Sequence, residues 1–323
     1  MKIVFMGTPQ AAAVSLKRLI SDGHEIVGVY TQPDRHSGRG RKVVYSPVKE
    51  LALEHGLSLF QPTKVRTPEA LEEFRSLSAD LAVVVAYGRI LPDGFLDAFP
   101  HRAINVHFSL LPKYRGAAPV NWAIVNGETE TGVTTMKMDS GLDTGDILLQ
   151  RSTMIAPSET SIALMVRLSQ LGAELLSETL HGLASIEPRK QDDSRASLAP
   201  ILKKEDGLID WSLPVKKIER RIRGFQPFPS SYTFHDALRL TIWTACQATA
   251  DASHPPGVIL ECTGDRLIVQ CGRGTALAIQ DIQPEGKRRM PVRDFLNGTK
   301  LTVGDTLGGP RSTAQSSMTS NSE

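Results

Sequence analysis

Leu81-Ala82-Val83-Val84-Val85 is five apolar residues without a break, and this run narrows the available folds more than any other stretch. A strand with one wet face alternates apolar and polar side chains; a strand covered on both faces is apolar throughout. Such cover comes from helices laid on either side of a parallel sheet. The flanking sequence agrees. Residues 3–6 are a short apolar run, 11–20 have helical spacing, and 24–31 and 57–60 read as strands. Ser46-Pro47 and Thr67-Pro68 each set a capping hydroxyl before a proline at the first helical position, and Gly56 closes the first of these helices. Residues 103–108 form a further strand, 119–125 a helix ended near Gly127, and 133–138 and 147–150 two weaker strands. The expected fold is α/β: a doubly wound, mainly parallel, Rossmann-like sheet domain.

Residues 158–183 read as one long amphipathic packing helix, with Ile162, Met165, Val166, Leu168, Leu171, Leu175 and Leu176 at its apolar positions. The polar stretch that follows carries Pro188 and Pro200 and reads as an interdomain linker. The domains expected are therefore 1–186, a linker at 187–203, and a second domain at 204–307. In the latter, a helix at 215–225 precedes short strand runs at 231–234, 238–243, 257–261, 267–270 and 276–282, and a helical turn is expected at 291–296. Closely spaced short strands with turn residues between them suggest a small β-barrel. Residues 308–323 lack aromatics and are rich in Ser, Thr and Gly, the composition of a disordered tail.

The 323 residues suffice for two cores. Cys246, Cys262 and Cys271 are odd in number and form no Cys-x-x-Cys, which argues against a disulfide framework or a zinc site, so no metal is expected. No run of about 18 apolar residues exists, and residue 1 leads straight into a strand pattern instead of a signal peptide, so a cytoplasmic location is expected. The net charge is only +2, yet cations cluster twice: Arg35, Arg39, Arg41 and Lys42 in a glycine-rich loop, and Lys216, Lys217, Arg220, Arg221 and Arg223 in the later helix. Local clusters on a nearly neutral chain resemble an interaction track more than a generally cationic surface. Gly38-Arg39-Gly40-Arg41-Lys42 is not a phosphate-cradling P-loop, since Gly-Lys-Ser/Thr is missing. Gly7-Thr8-Pro9 lacks Gly-x-Gly-x-x-Gly, and Pro9 removes a backbone donor that a pyrophosphate would use, which argues against a nicotinamide dehydrogenase.

The chemistry concentrates in the strand at 103–108. Alternation sets Ile104, Val106 and Phe108 on one face and Asn105 and His107 on the other. A carboxamide donor and an imidazole side by side at a strand end can stabilise a developing oxyanion and move a proton, although the same pair also describes a satisfied polar face. Ser109-Leu110-Leu111-Pro112-Lys113-Tyr114-Arg115-Gly116 follows at once, and Gly141-Leu142-Asp143-Thr144-Gly145-Asp146 later offers two carboxylates in a glycine-bounded turn. An Asp near an imidazole fixes its tautomer and supports its charged form. Tyr87-Gly88, Asn105 to Pro112 and Asp143 all fall at or just past strand ends, where ligands sit on such sheets.

Asn-x-His, then Ser-Leu-Leu-Pro-x-x-Arg-Gly, then Gly-Leu-Asp-Thr-Gly, in this order, resembles the folate-dependent formyltransferases. The resemblance runs from residue 1 to about residue 305. The opening Met1 to Pro9 and the loop Gln32-Pro33-Asp34-Arg35-His36-Ser37-Gly38-Arg39-Gly40 narrow it to the branch whose acceptor is charged methionyl-tRNA. It implies 10-formyltetrahydrofolate as donor and direct attack by an amine, without a Ser or Cys nucleophile. Asn105 would bind the developing oxyanion, His107 would relay the proton and Asp143 would orient His107, leaving Asp146 to shape the turn. Ser109, Leu110, Leu111 and Pro112 would line the folate site, with Val85, Ala86, Tyr87 and Gly88 as the opposite wall and Arg115-Gly116 steadying the loop. The second domain would be OB-like and help bind tRNA. Arg35, Arg39, Arg41 and Lys42, with Arg39 foremost, and Arg220, Arg221 and Arg223 are the expected RNA contacts. A monomer is expected. Within the family the acceptor could instead be glycinamide ribonucleotide, an amino sugar nucleotide or water. Outside it, an RNA-binding module would explain the cations but not Asn105, His107 and Asp143.

Overall fold

A computed structural model describes residues 1–37, 42–249 and 253–309. They form two compact units. The first comprises Met1–Val120, Thr129–Ala156 and Ala163–Ile201; the second takes Asn121–Glu128, Pro157–Ile162 and the chain from Leu202 onward.

In the first unit the strands are β1 (Lys2–Gly7), β2 (Glu25–Tyr30), β3 (Arg35–Ser37), β4 (Lys42–Val44), β5 (Leu59–Phe60), β6 (Leu81–Val85), β7 (Ala103–His107), β8 (Glu130–Lys137) and β9 (Ile147–Met154). Seven of them make one sheet in the order β5-β2-β1-β6-β7-β8-β9. The pairs from β5 to β7 are parallel, whereas β7–β8 and β8–β9 are antiparallel. β8 and β9 are joined by the turn that holds Asp143, and a short turn can only return the chain antiparallel. β6 is buried at every residue, as its uninterrupted apolar run requires. Helices α1 (Gln10–Ser21), α2 (Pro47–Glu54), α3 (Pro68–Ser76) and α4 (Asp93–Leu96) fill the crossovers. Ser46 accepts from the Lys49 amide and Thr67 from the Ala70 amide, so both expected caps form ahead of N-terminal prolines.

The residues that flank the glycine-rich stretch after β2, read from sequence as a loop, are strands. β3 and β4 pair antiparallel, Arg35 opposite Val44 and Ser37 opposite Lys42, as a two-stranded hairpin. Of the hairpin only the two strands are described; residues 38–41, with Arg39 and Arg41, lie outside the described residues. At its root the Asp34 carboxylate accepts from Gln61 Nε2 at 2.9 Å and from Lys49 Nζ at 2.6 Å. These bonds hold the Asp34 carboxyl below its ordinary pKa.

Helices α5 (Pro119–Asn126) and α6 (Ser161–His181) each run from one unit into the other. The second unit adds α7 (Val215–Gly224), strands β10 (Ser231–His235), β11 (Leu238–Ala248), β12 (Ile259–Thr263), β13 (Arg266–Cys271), β14 (Thr275–Pro284) and β15 (Met290–Pro291), and α8 (Val292–Gly298). The sheet is antiparallel, ordered β10-β11-β14-β13-β12 with β15 on β14. Its two edges are joined by the last described segment. Gly308 exchanges backbone bonds with Phe234 of β10, while Asp305 and Leu307 bond Ile259 and Gly257 beside β12. That closure satisfies the edge strands and extends one residue past the point where a tail was expected to begin; residues 310–323 lie outside the described part. Val215, Ile218 and Ile222 of α7 bury one helix face in the core with Leu240, Val269 and Ile279. No helix among the described residues is long and apolar enough to cross a membrane.

Candidate active site

β7 brings Asn105 and His107 to the same face at the carboxyl end of the sheet's parallel part. Val106 and Phe108 face the other way and lie beside Gly172 of α6. Asn105 and His107 are 7% and 6% exposed. The Asn105 carboxamide has no hydrogen-bond partner among the described residues, whereas buried amides ordinarily have one. The His107 ring is held on both sides. Nε2 lies 2.9 Å from the Tyr114 carbonyl oxygen, and Nδ1 lies 3.6 Å from Asp143 Oδ2. A carbonyl oxygen only accepts, so Nε2 carries the hydrogen. Nδ1 is therefore the free basic nitrogen, and a proton arriving there faces the Asp143 carboxylate. The Asp143 carboxylate also accepts the Gly116 amide at 2.8 Å.

The turn that presents Asp143 is built locally. Asp139 accepts from the Gly141 amide at 3.1 Å and from the Thr144 hydroxyl at 2.8 Å. Asp143 itself sits at φ 55°, a left-handed conformation that short polar side chains tolerate. Asp146 enters through its backbone, its carbonyl accepting the Lys137 amide at 2.9 Å. Gly145 is pressed onto the Lys137 carbonyl, so that a Cβ there would overlap it. Gly145→Ala is expected to lower stability by about 1–3 kcal/mol and abolish most turnover, because the turn must open and Asp143 moves with it. Thermal unfolding with a turnover assay checks this; unchanged melting with full activity would show that the turn adapts.

The loop after β7 is tied down by Thr134, a residue that no sequence motif singled out. Its hydroxyl donates to the Ser109 carbonyl at 2.7 Å and accepts from the Leu111 amide at 3.1 Å and from Gln150 Nε2 at 3.0 Å. Gln150 Nε2 also donates to the Leu111 carbonyl at 2.8 Å. Ser109 is fully buried and its hydroxyl donates to the Lys113 carbonyl at 2.6 Å, while Leu111 packs with Met136 and Ile147. Within Ser109 to Pro112, only Leu110 and Pro112 are partly exposed.

The opposite wall needs correction. The Val85 and Tyr87 side chains are 0% and 2% exposed and cannot line an open site. Tyr87 belongs to the core with Val84, Leu91 and Phe95; its hydroxyl is unpartnered and burial pushes its pKa up. What this segment offers is backbone: Ala86 and Gly88 are exposed at positive φ, 45° and 82°. The Tyr87 carbonyl accepts from Gln32 Nε2 at 3.0 Å and from the Thr8 hydroxyl at 3.3 Å, so three strand ends meet here. A cleft of about 570 Å³ is lined by Val65, Leu71, Ile90, Leu91 and Phe95, with Ser140, just before the Asp143 turn, at its rim. Its signal in the sequence is the apolar Ile90-Leu91-Pro92 following a strand end.

The cations of α7 divide. Arg221 donates to the Asp206 carbonyl at 2.6 Å and covers the Phe225 ring at 4.8 Å; burial lowers its pKa. Arg223 pairs with Glu219 one turn back and donates to the Glu159 carbonyl at 2.8 Å. Both flank the buried face of their helix, which turns their guanidinium groups to internal partners. The guanidinium of Arg220 lies against Gly127. Lys216 and Lys217 are exposed. Arg35 and Lys42 stand on β3 and β4, and Arg39 and Arg41 lie outside the described residues. Among the described residues no group of three or more His, Cys, Asp or Glu gathers as a metal set.

A formyl transferase model matches residues 1–180, and a formyl transferase C-terminal domain model matches residues 201–300. The methionyl-tRNA formyltransferase of Citrifermentans bemidjiense is 53% identical over 310 residues, covering 95% of this chain and 96% of that protein. That of Caldanaerobacter subterraneus subsp. tengcongensis is 51% identical over 310 residues, covering 95% of this chain and 100% of that protein. Among solved structures, the N-formyltransferase from Helicobacter canadensis in complex with folinic acid and dTDP-3-aminofucose shares the fold, with TM-score 0.66, 20% identity, and coverage of 87% of this chain and 99% of that one. HypX from Aquifex aeolicus in complex with tetrahydrofolic acid does so with TM-score 0.60, 16% identity, and coverage of 94% and 50%.

Proposed function

The chain belongs to the formyl transferase family, and on that premise we propose that it moves the formyl group of 10-formyltetrahydrofolate onto the α-amino group of methionyl-tRNA. The observation that carries the reading is the buried, unpartnered Asn105 carboxamide beside the His107–Asp143 pair. The residue is largely buried but its amide still reaches solvent, so the donor is open to an incoming acceptor, and a formyl oxygen is such an acceptor. The relatives that share half of the sequence along nearly its whole length support the choice of acceptor.

Folate supplies the formyl carbon; the residues do the rest. As the amine adds, charge grows on the formyl oxygen, and the Asn105 amide donates to it, a contribution of about 3 kcal/mol at the barrier. His107 Nδ1 takes the proton released by the amine, with the Asp143 carboxylate facing the charge so formed, and that proton passes to the folate nitrogen as the tetrahedral centre collapses and its bond to that nitrogen breaks, leaving tetrahydrofolate and the formylated amine. The Tyr114 carbonyl keeps the ring in the tautomer that leaves Nδ1 free. The cleft along Ile90, Leu91 and Phe95 suits the flat, largely apolar body of the folate, and Leu110 with Pro112 and the exposed Ala86–Gly88 backbone suit its reacting end. In this reading residues 1–186 carry the chemistry and 204–307 assist with tRNA, and the enzyme works in the cytoplasm as a monomer.

The cations that meet RNA are, in the same reading, Arg35, Arg39, Arg41 and Lys42, joined by Arg220, Lys216 and Lys217. Arg221 and Arg223, occupied internally, contribute less. Arg39→Ala is expected to raise the KM for methionyl-tRNA severalfold, leave the folate KM unchanged and reduce the salt slope of tRNA binding by roughly 1. An equal loss of folate affinity would place Arg39 elsewhere, and tRNA affinity indifferent to salt would remove the phosphate account altogether.

The decisive experiment incubates the protein with 10-formyltetrahydrofolate and methionyl-tRNA and looks for N-formylmethionine. Its appearance is expected. Free formate without formylated tRNA would make the chain a hydrolase instead.

A further inference from the structure

The polar stretch after α6 looks like a tether in the sequence, yet in the structure it is wired to both partners of the reacting histidine. Arg189 and Ile147 exchange two backbone bonds of 2.8 Å. The Arg115 amide donates to the Ser197 carbonyl at 2.8 Å, and the Ala199 amide to the Arg115 carbonyl at 2.7 Å. The Tyr114 amide donates to the Ser197 hydroxyl at 2.9 Å. Gly116, next in line, is at φ 119°, and a Cβ there would come within 2.7 Å of the Ala199 carbonyl. The chain that bears the Tyr114 carbonyl and the Gly116 amide is thus paired along 197–199.

Gln191 holds the other side. Its Nε2 donates to the carbonyls of Asp143 and Gly145, both at 2.8 Å, and its Oε1 accepts from Arg115 Nε at 3.0 Å and Nη2 at 2.8 Å. That uses the full capacity of one carboxamide: two hydrogens given, two lone pairs filled. The Arg115 side chain is 8% exposed, so this bond lies out of water, whereas its second partner, Asp193, is 83% exposed and screened. One amide therefore couples the turn that aims Asp143 to the residue between Tyr114 and Gly116.

We propose that Gln191 is a positioning residue: it sets the Asp143 carboxylate against His107 Nδ1, and does so through Asp143 without touching a substrate. The proposal rests on the formyl-transfer reading above. Gln191→Glu is the informative substitution. It keeps the shape and offers Arg115 a carboxylate, which favours the fold, but it cannot donate and sets an oxygen against two carbonyls.

The expected result is a kcat lowered by roughly 10–100-fold, KM values for tRNA and folate within about threefold of wild type, and little change in melting temperature. In an Asp143→Ala background the same substitution should alter kcat by less than about twofold, since two residues acting through one step do not multiply. A kcat within twofold of wild type for Gln191→Glu would overturn the proposal, as would an undiminished loss in the Asp143→Ala background. If Gln191→Glu does not fold, Gln191→Ala is read in the same two backgrounds, and failure of both to fold would make the residue structural and end the proposal. Wild-type protein that forms no formylmethionine would sink the underlying reading together with this one. Active wild type with a fully active variant would sink this one alone.

Discussion

Asn105→Ala is expected to lower kcat by about 10²–10³-fold while leaving the fold as stable as before, to within about 1 kcal/mol. Activity and stability part here for one reason. A buried donor that serves the fold has a partner in the resting protein, so its loss orphans that partner and destabilises. The Asn105 carboxamide has none among the described residues, although its residue is 7% exposed. Truncating it removes a polar group that serves no protein partner until substrate arrives. Binding of tRNA should survive, because the expected cations stand on other elements. The measurements are steady-state turnover and chemical denaturation on one preparation. A drop in stability of several kcal/mol with a proportionate loss of activity would make Asn105 a structural residue, and unimpaired turnover would remove the oxyanion contact.

His107→Gln is expected to cost more, about 10²–10⁴-fold in kcat. Glutamine can still donate to the Tyr114 carbonyl as Nε2 does at 2.9 Å, so the loop after β7 need not move. It has no basic nitrogen to set opposite Asp143 Oδ2, and the proton leaving the amine loses its acceptor. Asp143 keeps the Gly116 amide at 2.8 Å and so retains a partner for its charge. The KM values should therefore change little. A variant that turns over within tenfold of wild type would mean that solvent takes the proton and that His107 serves mainly to brace Tyr114. Adding imidazole to the assay separates the cases further, since recovery of rate is expected only where a base is missing.

Much of this site could be read before any fold was known, because its logic is local. Alternation along a strand sets Asn105 and His107 on one face whatever surrounds them, and a glycine-bounded Gly141-Leu142-Asp143-Thr144-Gly145 must turn. Where the reading went astray, the missing information was long-range. Val85 and Tyr87 follow a strand end as an active-site wall would, but the Tyr87 ring joins Phe95 and Leu91 in the core, leaving only backbone at the surface. Arg221 and Arg223 look like RNA contacts in a basic run, yet the side chain that each meets is set by which face of α7 is buried. Thr134 and Gln150 carry no motif at all; they matter because antiparallel pairing with β7 puts β8, and through it β9, under the Ser109 to Pro112 loop.

The amino-acid order alone determined the strand and helix pattern, the mainly parallel sheet and the side-by-side placing of Asn105 and His107. These follow from side-chain periodicity and short-range stereochemistry, which act over a few residues. Tertiary structure alone decided that Nδ1 is the nitrogen of His107 left facing Asp143, that Gln191 is bonded to the Asp143 turn, that an apolar cleft runs along Ile90 and Leu91, and that the segment ending at Gly308 closes the second sheet. Each of these depends on hydrogen bonds or packing between groups far apart in the chain, and no local pattern records which distant group will arrive.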